Sequence, residues 1–271
     1  MDSFLQFFEE MPVWMRLLWV VGVLAVFWIL EGYYALVNIN YKKWKHAGVN
    51  FAFLFFTMLI NVGFGALTLG VFYWIDTTHF GLLHLVDWPD WVELILALLV
   101  LDLIAQYGVH YLLHKVKWMW RLHIIHHSDT KVDVTTGTRH HPLDFVIRET
   151  FALFAVLLMG MPLAFYLIYR ILSVFFTYFT HANINLGKVD KFISYVFVTP
   201  NMHKFHHHWE MPWTDTNFGN MFSFWDRMFG TFVYDDTQKI RYGLDLVDDS
   251  TDEDIVYQLK IPFDKRIKTK R

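Results

Sequence analysis

The chain of 271 residues contains no cysteine. That excludes disulfides, a zinc ribbon, a thiolate nucleophile and an iron–sulfur cluster. Charge is also scarce, at 18% Asp, Glu, Lys and Arg against about 25% in ordinary soluble domains. The net charge of −3 supplies no general attraction to nucleic acid, and no nucleic-acid partner is expected. A dinucleotide-binding fingerprint is missing, as are internal repeats and low-complexity tracts. What fills the chain instead is apolar surface. Hydrophobic residues make up 55% and aromatics 19%, and the mean hydropathy is +0.30. Such a composition excludes intrinsic disorder and fits a membrane protein rich in interfacial aromatics.

Four regions carry the apolar runs. Residues 17–30 are uncharged and continue past Glu31 to Val37. Residues 51–75 are uncharged throughout, and residues 92–113 are apolar apart from Glu93, Asp102, Gln106 and His110. Residues 150–180 hold one charge, Arg170. A spanning helix needs about 20 residues, so this last stretch is too long for one untilted span. Gly160-Met161-Pro162 interrupts it, which predicts a helical hairpin over 145–182. The first run has an acidic start (Asp2, Glu9, Glu10) and no small-residue cleavage site, so it reads as a retained helix rather than a signal peptide. The expected fold class is an all-α membrane protein with about four transmembrane helices.

Loop charge sets the expected orientation. Lys42, Lys43 and Lys45 follow the first span, whereas 76–91 carries three Asp and no Lys or Arg. Lys115, Lys117 and Arg121 follow the third, and 181–271 holds 12 of the 23 basic residues. The N-terminus is therefore expected outside, with 40–50, 115–148 and the C-terminal part in the cytoplasm. Trp118, Trp120, Trp209 and Trp213 suit an interfacial position. From 236 onward the chain turns charged, acidic over 245–254 and ending in KRIKTKR. This 236–271 segment reads as a solvated tail, with weak contact of its last seven residues to anionic lipid as the alternative. Residues 1–235 are expected to form a single membrane-embedded domain.

Histidine is abundant, at 15 residues, and its distribution is uneven. His110 and His114 form H-x3-H; His123, His126 and His127 form H-x2-H-H; His203, His206 and His207 repeat it. On a helix, positions i, i+3 and i+4 share one face, so each motif aims its imidazoles within an arc of roughly 100 degrees. Neutral imidazole is a ligand for iron, zinc, copper and nickel. Eight to ten such ligands exceed what one metal takes, which implies two metals. His46, His79 and His84 read as ordinary polar residues, and His208 points off the face of its motif. Adjacent His140 and His141 cannot both face one site, and the residues alone do not choose between them. Asp102, Gln106, His110 and His114 are spaced by four. Asp102 or Gln106 is therefore expected to orient a ligand imidazole, with a helix–helix hydrogen bond as the other reading.

The order H-x3-H, H-x2-H-H, lone His181, H-x2-H-H resembles the fatty acid hydroxylase and sterol desaturase superfamily of histidine-box membrane proteins. Thr138-Arg139-His140-His141-Pro142-Leu143-Asp144 is similar to its R-x-H-P-L-E segment, and Thr180-His181-Ala182-Asn183 to its third histidine region. Asn217-Phe218-Gly219, Phe224-Trp225-Asp226 and Gly230-Thr231 are similar to the stretch after the last box. The likeness covers about 95–235. Asp144 stands where Glu is usual, and Thr177 where some members carry a further histidine.

The resemblance implies a cytosolic helical cap over the spans, holding a histidine-rich di-metal site. The implied ligands are His110, His114, His123, His126, His127, His181, His203, His206 and His207, with His141 from the H-P pair. It implies a di-iron oxygenase with two iron ions (Fe2+/Fe3+), zinc being a substitute in purified protein. Such an enzyme hydroxylates or desaturates an unactivated C–H position of a lipid, using O2. With no cysteine and no dinucleotide motif, electrons must come from a separate ferredoxin or cytochrome with its reductase. The expected location is a bacterial inner membrane or the ER, multi-pass, with the active site and C-terminus cytoplasmic. The rival classes are a histidine-rich metal transporter or metal store, whose ligands belong near the bilayer midplane, and a bis-histidine haem protein.

Overall fold

The computed structural model describes residues 1–237 and 240–269. Described residues form helices and connecting loops, with two isolated bridges, Ala35 to Ile184 and Phe197 to Phe222, in place of a sheet. Helix α1 is Asp2–Glu9, α2 Val13–Tyr33 and α3 Lys43–Thr78. Then come α4, Asp90–Asp102, a π-helical turn at Leu103–Gly108, and α5, Val109–Lys115. Helix α6 is Lys117–His127, α7 Pro142–Met159 and α8 Leu163–His181. Four short helices close the chain: α9 Lys188–Ile193, α10 Pro200–His206, α11 Phe224–Met228 and α12 Ile255–Lys260.

Four segments are long and apolar enough to cross a membrane: Val13–Tyr33, Lys43–Leu85, Asp90–Lys115 and Leu163–His181. The hairpin expected over 145–182 is present as α7 and α8. Gly160 ends α7 in the left-handed region (φ 64°) and Pro162 caps α8. A Cβ on Gly160 would lie 2.0 Å from the Phe80 carbonyl oxygen, so the turn is pressed against the loop after α3. An apolar cluster built on Leu101, Ala155, Met161 and Phe165 joins α4, α7 and α8.

Helix α3 has 36 residues, about 54 Å at 1.5 Å per residue, well beyond the roughly 30 Å of a hydrocarbon core. Its N-terminal turns run into the cap, where His46, Asn50 and Phe53 are fully buried. Asn50 donates to Thr135 Oγ1 (2.8 Å), and its Oδ1 accepts from Arg139 (3.1 Å). Arg139, also fully buried, donates to Ile125 O (2.9 Å) and to the Asp252 carbonyl.

The segment after 236 is not a solvated tail over its described part. Leu244, Ile261 and Ile267 are buried in one cluster with Trp120, Ile124 and Ile125. The Arg121 guanidinium binds four carbonyls there, of Ile261, Pro262, Asp264 and Ile267, at 2.6 to 3.3 Å. The acidic run over 245–254 masked the apolar residues of this strap on either side of it. Lys270 and Arg271 of the basic terminus lie outside the described residues. Trp118 is exposed as an interfacial residue should be, but Trp120 is 1% exposed. Its ring packs against His114 and His127, with centroids at 4.9 and 5.4 Å.

Candidate metal centre

Nine of the ten expected ligands converge in two buried groups. His110, His114, His123, His127 and His206 form one; His126, His181, His203 and His207 form the other. Within each, one ring nitrogen per residue lies within 4.8 Å of all the others. The groups adjoin, with the His127 and His207 rings stacked at 4.7 Å.

Local structure explains the division. Val116 is extended and breaks the chain between α5 and α6, folding α6 back along α5. Each H-x2-H-H motif straddles both groups. His123 and His127 face the first and His126 the second, whereas His203 and His207 face the second and His206 the first. Thr199 caps α10 and Pro200 fills its first position, which fixes where that short helix begins. Lys204, fully buried on the same helix, donates to Val132 O (2.6 Å) and His181 O (2.5 Å), tying α10 to the end of α8. Burial pushes its ammonium down to about 8.

The hydrogen bonds settle six tautomers. Nδ1 of His110, His126, His181 and His206 meets the carbonyl oxygens of Phe218 (2.9 Å), Arg139 (3.2 Å), Thr177 (2.7 Å) and Thr216 (2.6 Å). Nδ1 of His114 and His123 meets the carboxylates of Asp215 (3.2 Å) and Asp144 (2.8 Å). A carbonyl or carboxylate oxygen only accepts, so each Nδ1 carries the proton and each Nε2 a lone pair. His110 and His123 then oppose Nε2 to Nε2 at 3.1 Å, and His126 and His181 at 3.2 Å. Two lone pairs at that distance repel unless a cation lies between them. Both nitrogens of His127 and of His207 are buried without a hydrogen-bond partner, which is costly in a metal-free protein. The donor set fits two nitrogen-ligated metals, and outward carboxylates and carbonyls are the usual orienting partners of such imidazoles.

The electrostatics agree. Burial holds His123 down at about 4 despite the Asp144 carboxylate beside it. His126, His127, His203 and His207 fall well below the ordinary histidine range, first through burial and then through neighbouring imidazoles. Neutral imidazole is the metal-binding form.

The other expectations fare differently. His141 is not with the ligands: it precedes α7 and its Nδ1 accepts from Leu143 N at 3.1 Å. His140 lies closer, stacked on His126 at 4.6 Å with Nδ1 3.7 Å from Asp144. Asp102 and Gln106 orient no imidazole. Asp102 accepts Met221 N, Phe222 N and Trp225 Nε1 at 3.1 to 3.2 Å, and Gln106 donates to Ser173 Oγ at 3.0 Å. The π turn, which follows Asp102 and contains Gln106, adds a residue to the helical repeat, so the four-residue stripe does not continue. Asp144 and Asp215 take the orienting role instead. Asp144 was visible as the acidic residue of the R-x-H-P-L-E-like segment; Asp215 carried no signal.

Residues 94–231 match the family described as Fatty acid hydroxylase. An ornithine lipid hydroxylase of Rhizobium tropici is 29% identical over 54% of this chain and 43% of its own length. An alkylglycerol monooxygenase of Homo sapiens is 27% identical over 52% of this chain and 30% of its own. The chain thus spans less than half the length of these curated relatives. No solved structure matches.

Proposed function

The chain belongs to the fatty acid hydroxylase family, and from that membership we propose that it is a membrane-bound di-iron oxygenase acting on a lipid. It is an oxidoreductase in this reading, hydroxylating or desaturating an unactivated C–H position with O2. The observation that carries it is the pair of adjoining groups of five and four buried histidines with opposed Nε2 lone pairs. The relatives named for lipid hydroxylation and alkylglycerol oxidation support the lipid substrate.

Two irons, when bound, would supply reduction of O2 and abstraction of hydrogen from the C–H bond. The five-histidine group would hold one and the four-histidine group the other. The protein's own work is to hold nine neutral imidazoles in register, six of them by fixing their Nδ1 protons on Asp144, Asp215 and four carbonyls. It also keeps water out. Phe218 is fully buried with its ring against His110, His114 and His206, and Trp120, also buried, covers His114 and His127. Electrons come from a separate ferredoxin or cytochrome with its reductase. The centre lies at the cytoplasmic ends of the spans in this reading, since His114 and His181 are at the ends of Asp90–Lys115 and Leu163–His181. That position disfavours a transporter, whose ligands belong at the midplane.

The test is metal analysis of detergent-purified protein after iron-57 growth, wild type beside His206→Ala, with Mössbauer spectra and lipid products followed together. About two irons per chain and an oxidised lipid, both lost in the variant, are expected. Unchanged lipid product in His206→Ala would overturn the reading.

A further inference from the structure

Below the histidines, between two of the membrane-length helices, runs a string of polar side chains that the metal centre does not use. Gln106 lies in the π turn, one turn before His110, and donates to Ser173 Oγ at 3.0 Å. Asn220 donates to the same Ser173 oxygen at 3.3 Å, and Thr177 Oγ1 donates to Asn220 Oδ1 at 3.2 Å. Ser173, Thr177 and His181 follow at four-residue spacing on one face of α8. The string ends at the centre itself, because the Thr177 carbonyl accepts the His181 Nδ1 proton.

Polar groups at this depth are expensive and mark substrate or ion paths. These are not sealed in: Gln106, Thr177 and Asn220 are half-buried, with half-buried Ile104, Leu172 and Phe176 on the neighbouring faces. Nor are their valences filled. Asn220 uses one of its two N–H groups on Ser173, while the Gln106 and Ser173 side chains also meet the Tyr169 hydroxyl. A plain hydrocarbon chain lying here would leave the second Asn220 N–H without a partner, at the cost of an unmet hydrogen bond.

The geometry points to a specificity site: the Gln106–Ser173–Asn220–Thr177 string binds a hydrogen-bonding oxygen of the substrate and thereby sets which C–H faces the four-histidine group. The substrate class is a lipid bearing a hydroxyl, ester, ether or amide oxygen near the reacting carbon, rather than an unsubstituted acyl or alkyl chain. This deepens the lipid-oxygenase reading and rests on it.

The experiment uses full-length, zinc-loaded protein in phosphatidylcholine nanodiscs, so that it does not depend on turnover. Analogues of cetyl alcohol and of hexadecane carrying a diazirine at carbon 3 are photolysed and the labelled peptides mapped. In the wild type, the alcohol is expected to label the peptides carrying residues 104–107, 172–177 and 219–222 about fivefold more than the alkane, the factor of one neutral hydrogen bond. In Thr177→Val, which keeps the side-chain shape, and in Asn220→Leu, that preference falls towards parity while the zinc content stays at the wild-type level. Equal labelling by both probes in the wild type overturns the proposal, as does a preference that survives in both variants. The lipid-oxygenase reading fails separately, through absence of oxidised product from iron-loaded wild type, and the labelling preference stands or falls without it.

Discussion

Nδ1 of six of the nine clustered imidazoles donates to an oxygen, and this decides which nitrogen faces inward. The acceptors are of two kinds, and of all six the sequence marks only Asp144. Asp144 and Asp215 are side chains; the carbonyls of Phe218, Arg139, Thr177 and Thr216 belong to residues of no common type. The histidines themselves were legible because eight of 15 fall in three motifs with helical spacing. His141 was misassigned because an H-P pair reads alike whether its ring caps a helix or binds a metal. At this scale, Asp144→Asn is expected to weaken metal retention about 10- to 100-fold, because the amide no longer draws the His123 proton to Nδ1. A chelator competition that leaves the variant as retentive as wild type would refute it. Gly137→Ala is expected to disturb the four-histidine group selectively. The added Cβ would meet Thr177 Cγ2 at 3.1 Å and His181 Nδ1 at 3.3 Å, displacing that ring. Metal content should fall from about two towards one per chain, read by mass spectrometry.

Elements obey the sequence where periodicity is regular and escape it where a turn changes the count. The apolar runs and the Gly160-Met161-Pro162 break gave the spans and the hairpin. The π turn at Leu103–Gly108 carries no residue signature, and it takes Asp102, before it, and Gln106, within it, off the histidine face. Asp102 accordingly holds the 221–225 turn instead of a ring. The hairpin turn offers a test of fit between elements. Gly160→Ala would force a left-handed alanine and a Cβ 2.0 Å from Phe80 O. The expected loss is at least about 2 kcal/mol, seen as a lower melting temperature in detergent; a melt unchanged from wild type would show that the turn relaxes freely.

Across the whole molecule, the cap is held from outside by the strap at 240–269. Composition suggested solvation there, since charges are interleaved with the segment's apolar anchors. Those anchors nevertheless cover Trp120, Ile124 and Ile125, and Arg121 gathers four of the strap's carbonyls. Arg121→Ala is expected to cost about 2 kcal/mol, since hydrogen bonds from a charged donor are the stronger kind. Limited proteolysis should then cut within 240–269 faster than in wild type. Equal cleavage rates would mean that the apolar anchors alone hold the strap.

The strap also imposes an order on biosynthesis. A growing chain that has reached His207 possesses all nine imidazoles, yet the residues that cover Trp120 and secure Arg139 through the Asp252 carbonyl have not been made. Chains emerge N-terminus first, at about 5–20 residues per second. Until residues 240–269 have followed, the donor set is therefore complete and unroofed. A metal ion has its widest access to the clustered imidazoles before the strap is in place, and whichever ion is abundant around them in that interval has the first claim on the site.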